Sequence, residues 1–545
     1  MDLTKIRESD LSISRLDHLG LVSGMCQELG LIEYIDAYLP AGADKKLSHG
    51  ILVQGMLLNG LGYTAQPLHM YPEYMKDKPL DRLIGYSVEA DSFNQHAIGR
   101  TLDVLYEAGV SELFSGFAHQ ACKRLGLEVN SIHVDATSFH VDGDCYNASG
   151  EESKVIKLTQ GYSRDHRPDL NQVVLNLIVE NQAGMPLFLK ACSGNTVDKK
   201  NFADILKDHT KSLKASLQNR YTVGDSALFT PDSLSAIHAA EGYFVTRVPM
   251  SLKEAKELQS TGRMDMMELG EGYFAKEIKA SYADISQRWL LIFSEKAYQR
   301  EHETLKKKIS KETEQELKDF WHFTKKIFSC EKDAETAYDK FCKHCKFIEI
   351  EGMKIIKKGR YAKMGKPLKK SEPERYEYFI EGHCYTSLDK YETALSEKGF
   401  FILSTNDFSE AVSAKSILEI YKSQQRVERG FRFLKNPEFL TSAFYLKKPE
   451  RIEALMMIMT LCLLVYCALE YKIRQSLEKY GAQFKDQKNK DTQKPTARWV
   501  FFCFQGVSIL TIKDIGQKVI NILPRHDVIL NVLGPRYLTI YSKTG

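Results

Sequence analysis

The sequence predicts an α/β protein in several parts, and three observations predict it. A helical N-terminal stretch gives way abruptly at residue 131 to short runs rich in β-branched residues. Those runs then alternate with helical segments. A long charged interval from 249 to about 405 delays the last helix of that pattern.

At 545 residues the chain is too long for one ordinary core, and about two to four domains are expected. The net charge is only +4, from 75 Lys+Arg against 71 Asp+Glu, so affinity for a polyanion must come from local clusters. The eleven cysteines are scattered, several in apolar runs such as Cys462, Cys467 and Cys503, which suits reduced thiols in a cytoplasmic protein. Cys342, His344 and Cys345, with His383 and Cys384, lack a second correctly spaced pair and are not read as a zinc site. No charged-then-apolar secretion signal opens the sequence. The apolar run 454–469, bounded by Glu453 and Glu470, falls short of the roughly 18 residues a bilayer needs, so a buried helix and no membrane are expected.

Residues 1–128 carry apolar positions at helical spacing, in 16–39 and again in 48–62, and are read as a small all-α domain assigned to DNA-end binding. From 129 to 248, runs at 131–141, 153–163 and 171–181 predict a three-stranded antiparallel meander with a turn at Gly143 and Asp144. A helix at about 199–217 and a short strand from Tyr221 follow. The next helix has Thr230 as its cap and Pro231 in its first turn, and a strand at Tyr243–Val248 comes after it. This order is that of a ribonuclease H-like fold. Residues 249–405 form a β-rich insertion with a charged helical segment at about 297–343, read as a solvated face. Residues 406–480 complete the core with a basic helix and then an apolar one, and 481–545 are a linker and a C-terminal unit assigned to dimerisation or DNA contact.

Three acids stand out. Asp135 lies inside an apolar strand, where Asp is disfavoured, so the choice is between an edge position facing water and a metal ligand. Asp225 closes the strand after Gly224. Alone it reads equally as an ordinary turn acid, but it sits at the carboxyl end of a strand feeding a helix, where open α/β sheets place their sites. Glu428 rides the basic helix. On a helical wheel Tyr421, Gln424, Glu428 and Lys435 share one side with Arg432 beside them, while Ile420, Val427, Phe431 and Leu434 form the adjoining apolar stripe. A solvated helix with i,i+4 charge pairs produces the same row. A carboxylate trio of this kind is how proteins hold paired magnesium ions.

The run 421–435 resembles the Y-x2-R-x3-E-x6-K signature of the DDE transposases of bacterial insertion sequences, in the "insertion sequence four" superfamily with a β-rich insertion. Tyr421, Glu428 and Lys435 match, and Gln424 stands where the signature has Arg. The stretches VDATSFHV, GYSRDHRPDLNQ, GNTVDKKNF, VGDSALFT, FVTRVP, RWLLIFSEKAYQRE, FFILSTND and VERGFRFLKNP are similar to the 1634-type group of that superfamily, over nearly the whole chain. The resemblance implies Asp135, Asp225 and Glu428 as catalytic ligands of two Mg2+ ions, with Mn2+ as a substitute. It also implies Tyr421, Gln424, Arg432 and Lys435 as DNA-phosphate contacts, and Trp289 as an aromatic that stacks on a flipped base. The implied reaction frees a 3′-hydroxyl at transposon ends and joins it to target DNA, in a homodimer holding two terminal inverted repeats at the bacterial nucleoid. A transposase-derived DNA-binding protein without activity is the alternative.

Overall fold

The computed structural model describes residues 10–40, 46–63, 66–141, 155–161, 169–196, 203–205, 220–361, 372–435, 446 and 448–542. The chain enters through a strand, β1 (Leu11–Arg15), where only helices were expected. Helices then follow at Leu19–Leu29, Leu31–Tyr38, His49–Gly60, Gln95–Glu107 and Val110–Leu125, among shorter pieces. Local chemistry starts them. Ser48 Oγ accepts the Ile51 amide at 3.2 Å, and Asn94 Oδ1 accepts those of His96 and Ala97.

Nine strands make one mixed sheet. Its first five are β2 (Ser131–Val141), β3 (Asn171–Glu180), β4 (Pro186–Ser193), β5 (Tyr221–Gly224) and β6 (Tyr243–Arg247), arranged as β4-β3-β2-β5-β6. The first three are antiparallel neighbours, while β2, β5 and β6 run parallel. The meander therefore exists with different members. The described part of the expected middle strand, 155–161, makes only a single bridge, Thr159 to Gln172, and β4 takes the third place. The helix expected at 199–217 falls mostly outside the described residues.

The interval 249–405 divides in two. Strands β7 (Met267–Gly270), β8 (Tyr273–Tyr282) and β9 (Ile285–Ser294) extend the same sheet, so this part is a continuation of the core. Helices Glu295–Thr324 and Glu331–His344 then lead to a two-stranded ribbon, β10 (Ile348–Arg360) with β11 (Arg375–Thr386), packed on its own small cluster of Phe320, Phe323, Ala334 and Ile380. The last sheet strand, β12 (Phe400–Thr405), inserts between β6 and β9. Arg288 on β9 clamps this return. Its guanidinium binds Glu277 at 2.8 and 2.9 Å and donates to the carbonyls of Asp407 and Val412.

Helix Pro449–Lys479 is the hub. It is apolar and long enough to span a bilayer, yet 72% of its most apolar window is buried, against the N-terminal helices, β4 and the C-terminal unit. Beyond it come a two-residue pairing of β13 (Phe484–Lys485) with β14 (Asp491–Thr492), and then β15 (Ser508–Ile512) and β16 (Gly516–Ile520). Strand β1 pairs antiparallel with β15, so the two ends of the chain build one three-stranded sheet. One continuous hydrophobic core holds the N-terminal helices, the sheet, the hub and the C-terminal helices together. The boundaries drawn at 128 and 480 do not separate cores.

Candidate active site

Asp135 and Asp225 are brought to the same end of the sheet by the parallel pairing of β2 and β5. Parallel pairing aligns Ser131 with Tyr221 and His133 with Val223. The pairing stops there, with Asp135 two residues further along β2 and Asp225 just past the end of β5, so both acids stand at the same end of the two strands and line one cleft. Each carboxylate is held by a nearby amide: Oδ1 of Asp135 accepts from Ala136 and Oδ1 of Asp225 from Ala227, both at 2.8 Å. The turn after β5 is tight, and a Cβ on Gly224 would meet the Leu228 side chain at 2.8 Å. Thr246 on β6 donates its hydroxyl to the Asp225 carbonyl at 2.8 Å, fixing the third strand.

Glu428 reaches the same place on a helix that is not continuous. Helix Ala414–Lys422 ends at Ser423, and a new one runs from Gln425 to Leu434. At the joint, Ser423 Oγ donates to the Ile420 carbonyl at 2.6 Å and lies 2.8 Å from Nε2 of His133. His133 shares a strand face with Asp135 and Thr137, two and four residues on. That contact therefore lays the Glu428 helix over the face bearing Asp135. Val427, Phe431 and Leu434 are buried beneath the helix, while Glu428 and Arg432 stay exposed.

The result is an open cleft of about 750 Å3 lined by all three acids together with Tyr421, Gln424, Arg432 and Lys435. Burial raises the Tyr421 phenol above its ordinary pKa, and Asp225, Glu428 and Asp135 push it further, against the nearby Arg247. Gln424 is 9% exposed, so the position where a cation was looked for is nearly dry. Two cations that were not singled out line the cleft: Arg247 at the end of β6 and Lys422. The Arg247 guanidinium lies over the Phe401 ring at 5.6 Å, and Lys422 is ion-paired with Glu271 at 3.1 Å. Arg247 sits in FVTRVP, a lone charge closing an apolar strand, and that was the available signal.

Trp289 lies apart from these residues. It is 3% exposed in β9, its ring meets Phe229 edge-on and its indole N–H donates to Gln287 at 2.9 Å. It does not line the cleft, because it packs into the core on the face of the sheet opposite to Phe401 and Tyr421. Arg164, Asp165, His166 and Arg167, a polar run ahead of Pro168 in the sequence, lie outside the described residues.

Residues 131–465, more than half of the chain, match the family described as "Transposase DDE domain". The chain belongs to that transposase family. Residues 11–119 of this transposase match a second model, a domain of unknown function. No curated protein matches it. Among solved structures it is similar to the piggyBac transposase in a synaptic complex with hairpin DNA, at 10% identity and a TM-score of 0.38, over 88% of this chain and 79% of that one. It is also similar to the Mos1 transposase in a paired-end complex with the left transposon end, at 11% identity and a TM-score of 0.15, over 32% and 56%.

Proposed function

We propose that this transposase cuts transposon ends and joins the freed 3′-hydroxyl to target DNA, with Asp135, Asp225 and Glu428 as its catalytic carboxylates. The observation that carries this is the parallel pairing of β2 and β5, which brings two aspartates from distant segments to one end of the sheet, where they line a single cleft with Glu428. The strand order β4-β3-β2-β5-β6, antiparallel then parallel, supports a ribonuclease H-like core. The interval between β6 and the Glu428 helix supports membership of the "insertion sequence four" superfamily and its 1634-type group.

Carboxylate oxygens are the donors that magnesium takes. Among the described residues no three His, Cys, Asp or Glu side chains stand close enough together to hold an ion, so the three acids would have to draw in around the metal. When bound, Mg2+ or Mn2+ supplies acidity to an attacking water or 3′-hydroxyl and stabilises the leaving oxygen. Asp135, Asp225 and Glu428 would hold two ions. Arg247, Arg432 and Lys435 would orient the DNA phosphates, with Tyr421 and Gln424 donating to phosphate oxygens. Retention of all three acids at one cleft supports an enzyme over a DNA-binding derivative without activity.

The test is incubation with Mg2+ and duplex carrying the terminal inverted repeats, with a circular target present. The expected products are ends bearing a 3′-hydroxyl and then joined DNA, from a species that pairs two ends as a homodimer. Intact ends under Mg2+ and under Mn2+ would contradict the proposal.

A further inference from the structure

Strand β12 is followed by the pair Asn406 and Asp407, and each of these side chains ties down the start of a different parallel strand. Asn406 Oδ1 accepts the Phe244 amide at 2.9 Å and its NH2 group donates to the Gly242 carbonyl at 3.1 Å, which fixes the start of β6. Asp407 does the same for β5. Its Oδ2 accepts the Tyr221 hydroxyl and, at 3.0 Å, the Arg220 guanidinium, and its Oδ1 accepts the Ser409 amide at 2.9 Å. Arg288 closes the assembly, donating to the carbonyls of Asp407 and Val412 at 3.0 and 3.1 Å. The Asp407 residue is 1% exposed. Burial disfavours its charge, yet the bonds from Tyr221 and Ser409 and the Arg220 charge together hold it below its ordinary pKa, so it is an anion at neutral pH.

Two segments run from this staple to the carboxylate cleft. Strand β5 starts at Tyr221, and Asp225 follows its last residue, about 13 Å away at strand rise. Helix Ala414–Lys422 starts from its cap, Ser413, one residue past Val412, and also covers about 13 Å before the bend at Ser423. The two lie against each other, since Tyr221 and Val223 share one apolar cluster with Val412, Ile417 and Leu418. At their far ends Asp225, Leu418, Tyr421 and Lys422 line the same cleft. The helix is thus held at both ends, by the Asp407 assembly where it starts and by the Ser423 contact with His133 where it stops.

We infer that Asp407 is a positioning residue for the cleft: by tying Tyr221 at the start of β5 to the segment that launches helix Ala414–Lys422, it sets how far that helix carries Glu428 relative to Asp225. It acts through these two segments of matched length and not on the substrate. A slide of the helix along the strand by about 1 Å is enough to cost on the order of a hundredfold in rate. The inference rests on the proposed function for the role of the three acids.

The experiment uses the full chain and two readouts: Mn2+ binding without DNA, followed by the paramagnetic resonance signal of the free ion, and single-turnover cutting of saturating end DNA with Mg2+. Tyr221→Phe removes the hydroxyl tie and keeps the ring in its cluster. It is expected to weaken Mn2+ binding by at least about threefold and to slow the cut about 10- to 100-fold, with metal-free affinity for end DNA unchanged. Asp407→Ala releases every tie and loses more, and Asp407→Asn, which keeps an oxygen for Tyr221, recovers part of that loss. As a control, Asp103→Asn breaks a two-bond pair with Arg451, both at 2.7 Å, between helix Gln95–Glu107 and the hub, and leaves both readouts at the wild-type level. Wild-type Mn2+ binding and rate in Tyr221→Phe, or equal losses in the control, overturn the positioning role, and Tyr221→Phe decides alone if Asp407→Ala does not fold. Mn2+ binding that Asp135→Asn leaves unchanged removes the cleft as the metal site and sinks both readings. Binding lost in Asp135→Asn but kept in the Tyr221 and Asp407 variants sinks the positioning role only.

Discussion

Ser423 Oγ lies 2.8 Å from Nε2 of His133, joining the bend ahead of Glu428 to the strand that carries Asp135. Neither residue is one of the three acids, yet their contact joins the segments that carry two of them. Ser423→Ala removes a hydrogen bond worth about 1 kcal/mol of stability. Because a misplacement of about 1 Å can cost on the order of a hundredfold in rate, end cleavage is expected to fall about 10- to 100-fold. Equilibrium binding to end DNA, measured by gel shift, stays near wild type. Unchanged cleavage would show that the contact does not position Glu428.

Arg247 is expected to stand in for the missing cation at Gln424, since it lines the same cleft and acts on Tyr421. Arg247→Gln removes one phosphate contact, lowering the salt slope for end DNA by about 0.9 and weakening binding several-fold. Arg247→Lys restores the slope but not the full affinity, because a bidentate fork becomes a point charge. A salt titration of both variants checks this.

Glu453 on the hub helix has its carboxyl raised to about 7 by burial, reinforced by Glu112 and Glu450. The folded state therefore binds this proton more tightly than the unfolded chain does. Stability is fullest at low pH, falls as pH rises from about 4.5 through about 7, and then levels off. Glu453→Gln is expected to stabilise at pH 8 by about 1–2 kcal/mol after allowance for partial exposure, and to be neutral at pH 4.5. Thermal melts of both proteins across that range test the sign.

Trp289→Ala is expected to destabilise by about 3–5 kcal/mol, the loss of a buried aromatic, with end affinity unchanged for the fraction that remains folded. A specific loss of end binding without a lower melting temperature would return Trp289 to the DNA-contacting set.

The strands and helices whose signals are local were legible in the sequence. Thr230 caps its helix as expected, accepting the Ser233 amide at 3.3 Å, and the apolar hub runs from Pro449 to Lys479. Strand β1 was missed because LSISR is short and its partner, Ser508–Ile512, lies at the far end of the chain. Strand β4 was missed because Pro186 and Lys190 break up its apolar run. The helix around Glu428 was read as unbroken because neither Pro nor Gly marks the joint at Ser423, which a contact with His133 stabilises instead. At the site, Asp225 was the least informative acid taken alone. What its sequence neighbours could not supply was the pairing of β5 with β2, a long-range property that brings it to the same cleft as Asp135.

The most direct test of the account is Asp135→Asn assayed on end DNA with Mg2+ alongside the wild type. Removing one ligand charge while keeping the side-chain shape is expected to abolish 3′-end cleavage and joining, with end binding and melting temperature within error of wild type. Cleavage by Asp135→Asn at the wild-type rate would contradict the assignment of the β2–β5–Glu428 cleft as the catalytic centre.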